Sequence, residues 1–445
     1  MTPAIRVKGT GRKAIINARL LDPVAQTDKT GGILIEDGKI IACGADVTAT
    51  NLPKGCDIID AKGACLAPGL VDMRAQLRDP GFEHQETIET AGQSAAAGGI
   101  TTIIALPNTE PVVDDVAGVE FIARRARKVG LAKVFTYGAV TKGLEGGEIT
   151  EMGLLHQAGA VAFCDGIKTI ASARLLRQAL SYSTFFDGMI VQHPEEPELS
   201  KGAAMNSGEL ATRLGLSGVS PLAEVMQIER DLRLVEMTGG RLHFAHISTG
   251  LSVEVIRKAK KRGLKVTCDT APFYFALNEN AVSDYRTFAK LSPPLRSEDD
   301  RQAIVAGLAD GTIDAIASDH NPQDVDSKRL PFAQAAAGGV GFETLLPIAL
   351  ELYHNGHMSM LEVITKLTIA PAGLVRIKGA GTLDIGTAAD LVLFDPDHPW
   401  KIDPYQFWSK SKNSPFDGRL TQGRVLRTII DGREVFADPS VAEGA

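Results

Sequence analysis

The hydrophobic and polar positions of this chain fall into two textures. Near the N-terminus, the runs 14–18, 32–41 and 56–60 are short, β-rich and broken by Asp-Gly and Lys-Gly turns. The far C-terminus repeats that texture at 391–395 and 427–436, the second run carrying its own Asp-Gly turn signal. Two β-rich ends predict one small composite β domain built from residues 1–66 and 376–445. Between them, residues 67–375 alternate short apolar runs with segments of helical spacing such as 87–97 and 253–261. The apolar runs are 69–73, 101–106, 134–138, 160–163, 189–192, 242–245, 265–268 and 314–317. Near-continuous apolar strands alternating with helices imply a parallel sheet covered by helices, an α/β fold. Eight such units are the number that closes a (β/α)8 barrel. An open, doubly wound sheet is the alternative that pattern alone leaves standing.

Composition narrows the function. With 445 residues, 44% of them hydrophobic, the chain can bury a large core. A net charge of -7 argues against a nucleic-acid or anionic-membrane partner, either of which wants a basic face. The five cysteines are Cys43, Cys56, Cys65, Cys164 and Cys268; they form no CxxC pair and are odd in number. That pattern predicts free thiols in a reducing cytoplasm rather than a disulfide framework. The opening residues lack the apolar core of a secretion signal, and no stretch approaches the roughly 20 apolar residues of a membrane helix. The expectation is a soluble, cytoplasmic protein.

In a barrel of this kind the functional groups stand at the C-terminal ends of the strands. The first strand runs into Arg74-Ala-Gln76-Leu-Arg78, the second into Asn108 and the fourth into Asp165. The fifth runs into His193, the sixth into His246 and the eighth into Asp319-His320. Imidazoles and carboxylates gathered at one mouth are the donors that zinc prefers. A metal there lowers the pKa of bound water, and a neighbouring carboxylate takes the proton. Any one of these histidines by itself reads as an ordinary core or surface residue; the set reads as a site or its remnant.

The motifs that surround these residues resemble the long, class I type of dihydroorotase within the amidohydrolase superfamily. They include Ala67-Pro-Gly-Leu-Val-Asp-Met, Leu77-Arg-Asp-Pro-Gly-Phe-Glu-His-Gln-Glu, Gly98-Gly-Ile-Thr-Thr and Leu106-Pro-Asn-Thr. Phe163-Cys-Asp-Gly, His246-Ile-Ser-Thr, Leu291-Ser-Pro-Pro-Leu-Arg, Ser318-Asp-His-Asn-Pro and Gly379-Ala-Gly-Thr-Leu follow in order. The resemblance implies a TIM-type barrel with a composite β domain. It also implies an activity, interconversion of dihydroorotate and carbamoyl aspartate in pyrimidine biosynthesis. By the same resemblance Asp165, His193 and His246 are metal ligands, Asp319 is ligand and general base, and Arg78 and Asn108 hold the substrate carboxylate. A guanidinium fork suits that last task.

The chain also departs from the family pattern. Where the family's first strand ends in His-x-His, this one has Arg74-Ala-Gln76. Arginine keeps its proton at every relevant pH and offers no lone pair, and an amide is a poor replacement for imidazole on zinc. The position that these two residues and Asp319 would serve is therefore expected to be lost. That leaves room for at most one zinc, at Asp165, His193 and His246. Two buried carboxylates without a metal are costly, so Arg74 is expected to supply the missing positive charge by pairing with Asp319 or Asp165. Further departures are Gln323 for an imidazole, Ser292 for an asparagine, and Phe273-Tyr274 for a His pair. Lys168 is out of register for the carboxylated lysine of related cyclic-amide hydrolases and reads as a loop residue. Glu195 and Glu196 read as family-like or as a solvated face. Gly338-Gly-Val-Gly-Phe-Glu resembles a substrate-side backbone turn.

Three functions follow as expectations. The first is a non-catalytic, dihydroorotase-like protein, because some bacterial members of the family with a broken His-x-His assemble with aspartate carbamoyltransferase; a homo-oligomer is the other partner expected. The second is a working dihydroorotase with one metal. The third, another cyclic-amide hydrolase acting on a hydantoin or allantoin, ranks last, given Arg78, Asn108 and the missing strand-four lysine.

Overall fold

The computed structural model describes residues 11–439; the first ten and last six positions of the two flanking β segments, and with them the first residues of the stretch read above for a secretion signal, lie outside them. The two ends of the chain meet in one sheet. Its order runs Arg433–Ala437, Leu420–Ile430, Leu391–Lys401, Cys65–Pro68, Arg12–Asp22, Thr27–Glu36, Lys39–Gly44, with Asp57–Asp60 paired to Arg12–Asp22. The join between the halves is antiparallel, Leu391 facing Pro68 and Phe394 facing Cys65. The strand Cys65–Pro68 thus carries the sheet across the 66/67 junction drawn from the sequence and leads into the barrel. Ile15, Leu20, Ile33, Leu66, Leu391 and Ile429 share its core.

The barrel strands are Leu70–Ala75, Ile100–Ala105, Lys133–Thr136, Met189–Gln192, Arg241–Phe244, Val266–Thr270 and Ala315–Ile316, all pairing in parallel. The fourth apolar run, at 160–163, has no continuous ladder. It bridges its neighbours through Gly138↔Phe163 and Phe163↔Ile190. A parallel bridge from Ala75 to His320 closes the ring. All eight apolar runs therefore lie in the wall, and the open-sheet alternative is excluded. Alternate side chains of these runs, including Val71, Met73, Ile104, Leu106, Ala162, Cys164, Val191, Ala245 and Ala317, fill the interior. The opposite faces pack on the outer helices, the period-2 arrangement of a strand covered on both sides.

A helix follows each strand: Ile88–Ala97, Val116–Val129, Met152–Ala158, Ala173–Ser183, Leu222–Thr238, Gly250–Lys261, Glu298–Ala309 and Leu345–His354. Local chemistry sets their starts. Thr87 accepts from Thr90 N in a capping box, and the Thr249 and Ser297 side chains accept from Ser252 N and Asp300 N as N-caps. The sixth helix ends on Lys258, Lys260 and Lys261, which complement its C-terminal dipole. No helix among the described residues is long and apolar enough to cross a membrane.

Candidate functional site

Three non-glycine residues at the barrel mouth adopt left-handed backbone: Arg78 at φ 62°, His246 at φ 39° and Asp319 at φ 48°. Such conformations cost of order 1–3 kcal/mol each and persist where surrounding contacts over-determine them. Here they aim side chains across the mouth. Arg74, 1% exposed, donates from Nε to Asp319 Oδ1 at 2.9 Å and from Nη2 to the Gly166 carbonyl at 3.4 Å. The second Asp319 oxygen lies 3.1 Å from His246 Nδ1, and His246 Nε2 lies 2.8 Å from His193 Nδ1. His193, His246 and Asp319 thus form one buried hydrogen-bonded chain.

The electrostatics follow the geometry. Burial pushes the Asp319 carboxyl up, but facing His246 and Arg74 outweigh it and hold it below the usual range. Burial, with repulsion from His246 and Arg74, pushes His193 well below its ordinary value and keeps it neutral. The expected pairing of Arg74 is thus found, with Asp319 as the partner rather than Asp165.

Asp165 departs from the expectation that groups it with His193 and His246. Its Oδ1 accepts from Val140 N at 3.0 Å and Thr141 N at 2.9 Å, and its Oδ2 from Thr141 Oγ1 at 2.6 Å. The loop after the third strand offers three donors to this carboxylate, and both oxygens turn to them. Burial still raises its pKa. Among the described residues no group of three or more His, Cys, Asp or Glu is arranged to hold a metal ion. The donor set does not fit a divalent ion: two imidazoles face each other, the carboxylates are engaged elsewhere, and a fixed guanidinium stands beside them.

The substrate-side residues are also tied down. Gln76 Oε1 accepts from Asn108 Nδ2 at 2.8 Å, while the buried Gln76 Nε2 has no hydrogen-bond partner. Arg78 donates to Asn321 Oδ1 at 2.6 Å and to the Pro322 carbonyl at 3.2 Å. Both acceptors are neutral, and burial pulls its pKa down to about 10. Gln323 bonds Asn321 Oδ1 and the Ala337 carbonyl, each at 2.9 Å, so it braces the loop that holds Arg78. Phe273 stacks on Phe416 with centroids 5.6 Å apart, and Tyr274 donates to the Pro293 carbonyl at 2.9 Å. Lys168 bonds the Leu144 carbonyl at 3.0 Å, the loop role expected of it. Glu195 lies 3.8 Å from His193 Nε2, whereas Glu196 caps the turn Pro197–Ser200. Gly338, at φ 132°, needs to be glycine because a Cβ would lie 2.5 Å from Asn321 Cγ. The close approach there is to the protein's own Asn321 loop.

Several groups at the site were missed by looking only past the strand ends. Asp269, inside the seventh strand, accepts from His246 N at 2.6 Å and lies 2.9 Å from His243 Nε2. It fixes the strained backbone of His246. Asp72 holds Ser318 N at 2.9 Å and also takes the Ser318 hydroxyl, locking the first strand to the eighth. Burial raises the Asp72 carboxyl to about 7. His320, read from the sequence at the end of the eighth strand but given no role there, stacks flat on Phe342 at 3.9 Å, with Nε2 3.6 Å from Glu86 Oε2. The only sequence signal for these was an acidic or imidazole group inside an apolar strand, which is costly to bury without a partner.

The Dihydro-orotase-like family model matches residues 63–252. The chain is 45% identical over 422 residues to the dihydroorotase of Syntrophotalea carbinolica, covering 95% of this chain and 98% of that one. It belongs to the dihydroorotase family. The dihydroorotase of Acetivibrio thermocellus is 44% identical over 425 residues, covering 95% and 99%. Among solved structures, the L-hydantoinase of Arthrobacter aurescens superposes with a TM-score of 0.84 at 27% identity, covering 95% of each chain. The dihydropyrimidinase of Brevibacillus agri NCHU1002, 22% identical with a TM-score of 0.83 over 96% and 95% of the two chains, shares the fold.

Proposed function

We propose that this dihydroorotase-family protein keeps the family's ligand pocket without running its reaction, and serves the cytoplasmic pyrimidine pathway as an assembly partner of aspartate carbamoyltransferase. The observation that carries the reading is the buried ion pair between Arg74 Nε and Asp319 Oδ1, 2.9 Å long. It occupies the carboxylate that the resemblance assigns as metal ligand and general base, and supplies there the charge an ion would bring. A carboxylate fixed by a guanidinium and an imidazole has little basicity left for proton abstraction. Arg78 is the counterpart. It is a buried cation that, among the described residues, hydrogen-bonds to neutral oxygens and makes no ion pair, so an anionic ligand gains a charge-assisted fork there. Co-expression with aspartate carbamoyltransferase, followed by affinity capture and sizing, tests the partner. Recovery of a defined complex supports the reading, and a transferase that elutes alone counts against it.

The second reading is a working dihydroorotase that carries one zinc on His193, His246 and Asp165. The 45% identity to a protein named dihydroorotase over nearly the full length favours it. It requires Asp165 to leave the Thr141 loop and Arg74 to release Asp319. Zinc content with a dihydroorotate ring-opening assay separates the two readings.

A further inference from the structure

At the N-terminal ends of the fifth, sixth and seventh barrel strands, remote from the mouth, lies a cleft of about 360 Å³. Its charged lining is Arg241, Lys265 and Arg376 against Asp187 alone. Three cations facing one carboxylate is an unusual local excess in a chain whose net charge is -7. The single carboxylate is already committed, since Arg376 Nη2 meets Asp187 Oδ2 at 2.5 Å. Among the described residues Arg241 makes no ion pair. Its Nη1 and Nη2 donate to the backbone carbonyls of Asp187 at 3.0 Å and Leu374 at 3.1 Å. Arg376 Nη1 reaches the same Asp187 carbonyl at 3.4 Å, which sets the two guanidinium groups side by side. Burial, then the neighbouring Arg376, pulls the Arg241 pKa down. Among the described residues Lys265 makes no ion pair.

We propose that this cleft binds a phosphate-type oxyanion, either inorganic phosphate or the phosphate of a phosphomonoester. The guanidinium N–H groups not engaged by the Asp187 and Leu374 carbonyls or the Asp187 carboxylate can donate to an oxyanion, and the lysine adds a point charge at the rim. An anion there relieves the repulsion between Arg241 and Arg376 that Asp187 only partly offsets.

Calorimetric titration of the full chain at fixed ionic strength, with inorganic phosphate in one arm and ribose 5-phosphate in the other, tests this. Saturable one-to-one binding is expected, with chloride as the blank. Tighter binding of ribose 5-phosphate identifies the ester as the source, and equal binding identifies the free ion. Lys265→Gln, at an exposed residue with no bonds to lose, should weaken binding about threefold, and Arg241→Gln with Arg376→Gln by at least about tenfold. The proposal is overturned if neither probe binds saturably or if these variants bind as the parent does. Loss of binding in Arg78→Met with retention in the cleft variants would place the anion at the barrel mouth and also overturn it.

Discussion

Arg74 and Asp319, 245 positions apart in the chain, meet as a buried ion pair of 2.9 Å at the mouth of the barrel. Removing one member of a buried pair leaves the other charged and uncompensated, which typically costs about 3–5 kcal/mol. Arg74→Met should therefore lower the stability measured by urea denaturation by about that amount. The double variant with Asp319→Asn should recover a large part of it, because no lone charge remains. A single variant as stable as the parent would show that the pair carries no such load.

Arg78 makes a different prediction. Its guanidinium donates to Asn321 and the Pro322 carbonyl, lies over the Phe82 ring and, among the described residues, makes no ion pair. Loss of a charge-assisted hydrogen bond costs about 1.5–3 kcal/mol, so Arg78→Met should weaken dihydroorotate binding roughly tenfold to a hundredfold. Calorimetry measures this directly. Unchanged affinity would move the ligand's carboxylate elsewhere.

Glu343 sets a pH dependence away from the mouth. Its Oε1 takes bonds from Ser94, Trp408 N and Ser409 N, and burial raises its pKa from 4.5 to about 7. The folded state then binds the proton more tightly than the unfolded state between those values, so this group's contribution falls as pH rises through that window. Glu343→Gln should gain stability relative to the parent at pH 8, and the gain should shrink toward pH 5. Denaturant midpoints at the two pH values measure it, and a difference independent of pH would contradict the assignment.

On the proposed reading, Arg74 supplies the positive charge at the mouth in place of an ion. Incubation with a strong chelator should leave the melting temperature unchanged, since ligand-linked stabilisation is absent when no ligand is bound. A chelator-induced drop of several degrees, restored by zinc, would count against the Arg74 account.

The fold was largely legible because period and length carry it. Each of the eight apolar runs lies in the wall, and the helical segments at 87–97 and 253–261 match Ile88–Ala97 and Gly250–Lys261, the first starting after its Thr87 cap. The run at 160–163 was legible as apolar, but its lack of a ladder was not, since that depends on how its neighbours are spaced. At the site, Arg74 was readable as the partner of a buried carboxylate, Asp319 or Asp165, because each is costly to bury alone. Asp165 was not, because its choice of the Thr141 loop is decided by three donors from another strand's loop. Asp269 was hidden for a related reason: its role is to hold a backbone N–H of His246, which leaves no mark on the residue pattern.

The central claim is that a guanidinium stands where the family's resemblance calls for metal. Zinc content and dihydroorotate ring opening, measured on the parent chain beside the double variant Arg74→His with Gln76→His, test it most directly. The account predicts a parent with substoichiometric zinc and no ring opening above the uncatalysed rate, and a variant that takes up zinc. A parent purified with a full equivalent of zinc that opens the ring at an enzymatic rate would contradict it.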